Sequence, residues 1–251
     1  MTNVKNEHKM AQEMCTISDL MNKGEYQKAL NCFYDLETKN VKNRTIKFIK
    51  VGFLIDIGFG LKDSQVVKEG IISGEKLLRS PAFKNHEAHL YYNIANGHVS
   101  LYQLEYGRNK IEQIIDNKNL ENAKCYFRKA IKRESRVDSE MRTQLWTNYG
   151  NCLDSLGRGM EAFYAYDEAL KIDPGFPMAL ANKAQAMRFF ADISGAYKAA
   201  MYIKSYQILK SVLENKDIIK FGGMAAKKNF ENQIKQIEKL FKDKSMLSQK
   251  L

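Results

Sequence analysis

The chain has 251 residues, enough for one large domain or two small ones with a buried core. Hydrophobic residues at 44% and charged residues at 27% are ordinary for a soluble globular protein, and three prolines and fifteen glycines leave few helix breakers. The net charge of +11 comes from forty Lys and Arg, of which nine are Arg, so it describes a solvated lysine surface that admits an acidic partner without specifying nucleic acid.

In chain order, residues 1–14 are polar, with no apolar leader, and residues 1–9 are expected to fray. Leu20, Gly24, Ala29, Phe33 and Leu36 then fall at the spacing of two packed helices, which places a first unit at 10–43. The most apolar stretch, 48–61, is interrupted by Lys50, Asp56 and glycines, and no stretch reaches the roughly 18 apolar residues of a membrane span. Val51, Leu54, Ile71 and Gly74 within 48–81 repeat the first spacing more weakly. Tyr91, Ile94, Ala95 and His98 mark a first helix, and Ala123, Phe127 and Ala130 a second, in a unit at 88–137. These two halves lie further apart than in the other units. The excess at 105–120 carries Ile111, Ile114 and Ile115 and is expected to be an extra helical turn or a packed loop.

The clearest unit is 143–176. Trp146, Tyr149 and Leu153 share one helix face, and Gly150 and Ala162 are small enough for two helices to approach closely. Gly157 suits a left-handed helix end, Tyr166 and Ala169 turn the second helix back onto the first, and Pro174 ends the unit. A degenerate copy follows at 177–215. Leu180, Ala184, Met187 and Ala196 keep the spacing, whereas Lys183 and Ala200 replace a leucine and an aromatic; its second helix is expected from about 194 to 215. Finally, Phe230, Ile234, Ile237, Leu240 and Phe241 form one stripe within 216–251, as a capping helix requires.

The order Trp146, Tyr149, Gly150, Leu153, Ala162, Tyr166, Ala169, Pro174 resembles the tetratricopeptide (TPR) signature, whose period is about 34 residues. The resemblance implies an all-α fold: a right-handed TPR-like α-solenoid of four to five helix pairs with a C-terminal capping helix. The runs WTNYGNCL from Trp146, YDEALKIDP from Tyr166 and ANKA from Ala181 also look like the TPR segment ahead of an HEPN ribonuclease domain in some bacterial proteins. That likeness carries over the repeats and not the nuclease activity.

In the TPR family the first helix of each repeat lines a groove. The matching positions imply a ladder of amides, Asn93, Asn96, Asn148, Asn151, Asn182 and Gln185, flanked by Tyr92, Arg188 and Phe189. An amide both donates and accepts, so such a ladder would hold the backbone of a partner segment of any sequence. The family's carboxylate clamp for chaperone tails needs cations where this chain has Tyr92, Thr147, Ala181, His89, Gln144 and Met178, so that ligand is not expected.

On a second helix, Lys124, Arg128, Lys132 and Arg136 recur every four residues and predict a basic stripe for an acidic protein or a nucleic acid, or simply a solvated face. Arg79 and His86 have the spacing of an HEPN nuclease motif, but Pro81 between them should break the helix it needs. His86, His89 and His98 read as a surface pair and a core residue rather than a metal set. Cys15, Cys32, Cys125 and Cys152 form no CxxC pair and suit a reducing compartment. The expectation is a cytoplasmic, non-catalytic protein without cofactor or metal that docks another protein or peptide. The alternatives are a regulatory partner of a separate effector, such as a nuclease, and a nucleic-acid-binding helical repeat.

Overall fold

The computed structural model describes residues 2–106, 117–195, 197–215 and 218–242. Ile111, Ile114 and Ile115 of the expected insertion, and Ala196, lie outside the described residues. Contacts divide the chain into two compact units, Met1–Val137 and Asp138–Leu251. The described residues hold eleven α-helices and no strand.

The first unit contains α1 (Thr2–Asn22), α2 (Tyr26–Lys39), α3 (Arg44–Leu61), α4 (Ser64–Leu78), α5 (Glu87–Tyr106) and α6 (Lys118–Ile131). Two 3₁₀ turns, Pro81–His86 and Glu134–Arg136, follow α4 and α6. Helix α1 is described from Thr2, ahead of position 10 where the periodicity begins. Side chains fix several helix starts by accepting from backbone N–H groups that have no partner inside the helix: Asn43 from Thr45 and Ile46, Asp63 from Gln65 and Val66, and Asn117 from Asn119 and Leu120. The helices pack as successive pairs, each first helix also touching its predecessors. One core gathers Ile17, Phe33, Ile46, Leu54 and Ile57; the next gathers Val51, Ile55, Ile71, Leu90 and Ile94. Both draw on α3, which supplies Ile46, Leu54 and Ile57 to the first and Val51 and Ile55 to the second.

The second unit contains α7 (Ser139–Ser155), α8 (Gly159–Ile172), α9 (Pro177–Ser194), α10 (Lys198–Glu214) and α11 (Ile218–Lys242). Asp138 caps α7 by accepting from the Met141 N–H at 2.8 Å. Between α7 and α8, Gly157 adopts φ +71°, the left-handed conformation expected of it. The pair closes where Gly150 faces Tyr166: a methyl group at Gly150 would lie 2.5 Å from the Tyr166 ring. The degenerate pair behaves differently from its sequence expectation. Helix α9 continues to Ser194, Gly195 at φ +67° ends it, and α10 begins only at Lys198. Ala200 is exposed, and Tyr202, Leu209 and Val212 supply the core instead. Lys183, in place of a leucine, forms an ion pair with Asp167. Helix α11 covers this core with Phe230, Ile234 and Ile237, as a capping helix should, after a break at Gly223 (φ 68°, ψ −179°).

Two outcomes follow for stability. Gly150→Ala is expected to cost about 1–3 kcal/mol, because the fully buried Tyr166 ring has nowhere to retreat; a thermal melt reads it, and an unchanged Tm would contradict the close approach. Lys62, which ends α3 at φ 58°, carries the Cβ strain that Gly157 avoids. Lys62→Gly is expected to raise stability by roughly 0.5–1 kcal/mol in denaturant titration.

Candidate functional site

In the second unit α7 packs against α9, and the amides of this pair meet. The Asn182 Nδ2 donates to Asn151 Oδ1 at 2.7 Å, and the Tyr166 hydroxyl donates to the same oxygen at 3.0 Å. Asn151 is therefore held by neighbours on α8 and α9, and these two amides are a bonded pair rather than separate rungs. Burial pushes the Tyr166 hydroxyl pKa well up, which keeps it a donor here. Asn148 is half-buried on the same helix. Gln185 is exposed, and from it an outward stripe runs along α9 through Phe189 and Ile193, which are 62% and 70% exposed. Phe190 and Tyr197 add exposed rings at the same helix end.

Arg188, expected to flank the amide ladder, is bonded across helices. It lies about 100° around α9 from Phe189, and its guanidinium donates to Ser205 Oγ at 3.2 Å and to Gln233 Oε1. Desolvation lowers its pKa. It pins α9 to α10 and α11.

In the first unit Asn93 lies against α3: its Nδ2 sits 3.6 Å from where a methyl on Gly52 would be. Asn96 is half-buried. Tyr92 is half-buried and packs its ring edge-on against Phe127 at 6.3 Å.

No family model matches the chain, and no curated protein matches it. Among solved structures, a thermophilic TPR protein of Thermus thermophilus aligns at 15% identity over 90% of this chain and 98% of its own, with a TM-score of 0.64. The fold is TPR-like. The MamA protein aligns at 17% identity over 79% of this chain and 92% of its own, with a TM-score of 0.46, and the fold assignment does not depend on it.

On the second helices of this TPR-like chain, the basic stripe is broken up. Helix α6 ends at Ile131, so Arg136 sits in a separate 3₁₀ turn, where it pairs with Glu87 at 3.6 Å and donates to the Lys84 carbonyl at 3.4 Å. Lys124 pairs with Glu121, which leaves Arg128 and Lys132 exposed. The neighbouring Lys129 and Arg133 lie over Tyr126 and Tyr91, at 4.8 and 4.9 Å from the ring centroids. Pro81 starts a 3₁₀ turn between Arg79 and His86, so those two share no helix. His98 is buried, stacked on Tyr126 and bonded through Nδ1 to Asn119 Oδ1 at 3.1 Å, and burial lowers its pKa. His86 and His89 pack around Phe48. Among the described residues no three metal-ligating side chains converge, and no helix is long and apolar enough to cross a membrane.

Asp56 on α3 was legible in the sequence only as an interruption of an apolar run. It is reached by solvent, yet the protein on either side desolvates it and pushes its pKa up to about 6. The folded-state value therefore lies above the ordinary aspartate value of 3.8. The charged carboxylate is penalised on folding; the cost is absent at low pH, grows as pH rises through this window, and is complete above it. Asp56→Asn, which cannot ionise, is expected to raise the Tm at pH 7.5 with the gain shrinking toward pH 4. Thermal melts across that range check it, and a gain independent of pH would contradict the desolvated carboxylate.

Proposed function

We propose that this chain is a non-catalytic protein-interaction scaffold that docks a segment of a partner protein along the outward stripe of α9. The observation that carries this reading is the exposure of Phe189 and Ile193, one turn apart, beside the bonded pair Asn151–Asn182. Large apolar side chains kept in water at successive turns lose the hydrophobic stabilisation that a bound segment restores. The bonds that hold Asn151 use its oxygen; they leave its two amide protons for a backbone carbonyl of the segment, and Gln185 adds a second donor–acceptor group one turn before Phe189. The arrangement gives register through amides and affinity through the apolar stripe. Four free cysteines, three of them exposed, fit a reducing, cytoplasmic setting.

A displayed library of random dodecapeptides, selected on the purified chain, tests this. Selected peptides are expected to bind the Phe189→Ser, Ile193→Ser double variant at least about tenfold more weakly, the loss of a typical interface anchor. Both positions are exposed, so the variant should keep the parent's melting curve. Equal binding by parent and variant would exclude the α9 stripe as the docking face.

A further inference from the structure

On α6 the predicted line of basic residues fails, but Arg128 and Lys132 remain exposed, and α4 carries a row of its own. Lys68, Ile72, Lys76 and Arg79 recur at three- and four-residue intervals, all exposed, over about 16 Å of helix. The Tyr126 hydroxyl of α6 donates to Glu75 of α4 at 2.7 Å, which sets the two helices side by side. Lys129 stands at that seam, its Nζ 4.8 Å from the centre of the Tyr126 ring. The two 3₁₀ turns extend the face: the Arg136 guanidinium donates to the Lys84 carbonyl at 3.4 Å, which brings the exposed Lys84 beside the turn that follows Lys132.

The charge of this face is not neutralised locally. Carboxylates that border it are engaged: Glu69 binds Lys50 at 2.8 Å, Glu75 accepts from Tyr126, Glu87 binds Arg133 at 2.7 Å and Arg136 at 3.6 Å, and Glu121 pairs with Lys124. Among the described residues no carboxylate pairs with Lys68, Lys76, Arg79, Lys84, Arg128 or Lys132. Like charges gathered without counter-ions repel one another, and an anionic partner relieves that repulsion. The side chains around them select among anions. Ile72, 63% exposed, is the only large apolar side chain exposed on α4 and α6 among the described residues, so a protein segment finds no group of apolar anchors and a bilayer no apolar cluster to take up. Lys129 and Arg133 lie over the rings of Tyr126 and Tyr91, at 4.8 and 4.9 Å from their centroids, so these rings are occupied rather than offered to the bases of a single strand. What remains is an array of cations on two adjacent helices, which suits phosphates held at close, fixed spacing by a double helix.

We propose that the α4–α6 face of the first unit binds the phosphate backbone of a nucleic-acid duplex without reading its sequence. Lys68, Lys76, Arg79, Arg128 and Lys132 meet phosphate oxygens, with Lys84 at the edge, and each contact releases a counter-ion held by the duplex. The face is built from second helices of the first unit and does not depend on the α9 stripe, which lies in the second.

The test is fluorescence anisotropy with the full chain and labelled DNA and RNA duplexes of one mixed sequence. The parent is expected to bind at about 50 mM salt and to weaken steeply toward about 200 mM, and the tighter of the two duplexes identifies the helix form that fits. The Lys76→Glu, Arg128→Glu, Lys132→Glu triple variant is expected to bind at least about tenfold more weakly, with a log–log salt slope shallower by about two to three. A control triple, Lys228→Glu, Lys235→Glu, Lys239→Glu, removes the same charge from α11 and is expected to stay within about threefold of the parent. All these positions are exposed, so both variants should keep the parent's melting curve. The Phe189→Ser, Ile193→Ser variant should bind the duplex as the parent does, so this proposal and α9 docking can fail separately. No binding to either duplex at about 50 mM salt, an equal loss in the two triple variants, or tighter binding of the single strand would overturn the proposal. So would a first triple variant that loses capture by poly-glutamate or by phosphatidylserine vesicles while keeping the duplex, since the face would then serve an acidic protein or a membrane.

Discussion

Each helix pair in this chain depends on how closely two backbones can approach. Where a small residue on one helix faces a large ring on the other, the ring fills the gap, and the pair shares a core only one side chain thick. Tyr166 facing Gly150 shows how little room is left around such a ring, and Phe33 and Phe127 are likewise all but removed from solvent. Buried alanines at Ala29, Ala123, Ala162 and Ala169 serve the same end. Because the shared core is thin, no pair buries its apolar surface alone. Within the first unit successive pairs lean on one another, and within the second the last pair leans on α11.

That constraint explains which parts of the fold could be read from sequence. The stretch 143–176 was legible because nearly every signature residue there answers a steric demand of close approach, and such demands leave a fixed spacing. The 177–215 copy was less so: with Ala200 turned outward, Tyr202 and Leu209 fill its core at another register, and a period carried over from neighbouring units cannot report that shift.

The candidate site was legible in part. Its residue types and helices could be read, but hydrogen bonds across helices could not. Asn151 and Asn182 lie 31 residues apart, and nothing local in the chain announces that one donates to the other. Arg188 follows the same logic, since its partners Ser205 and Gln233 are distant in sequence. The stripe through Lys124 and Arg136 assumed a helix that ends at Ile131. Asp56 left a trace, a single carboxylate amid apolar neighbours, but its lack of a counter-ion is visible only once the helices are assembled.

The bond from Asn182 and the bond from Tyr166 together occupy the oxygen of Asn151, and they constrain how such a protein evolves. A serine at 151 is too short to reach both donors, and an aspartate keeps the acceptor while importing a charge beside a buried ring. Drift at that position is therefore checked by the fold itself, whatever the ligand. Gln185, Phe189 and Ile193 hang outward from the same pair of helices, and mutation there leaves the architecture standing. Substitution at those three positions would change what the helix presents to solvent while leaving the framework behind it intact.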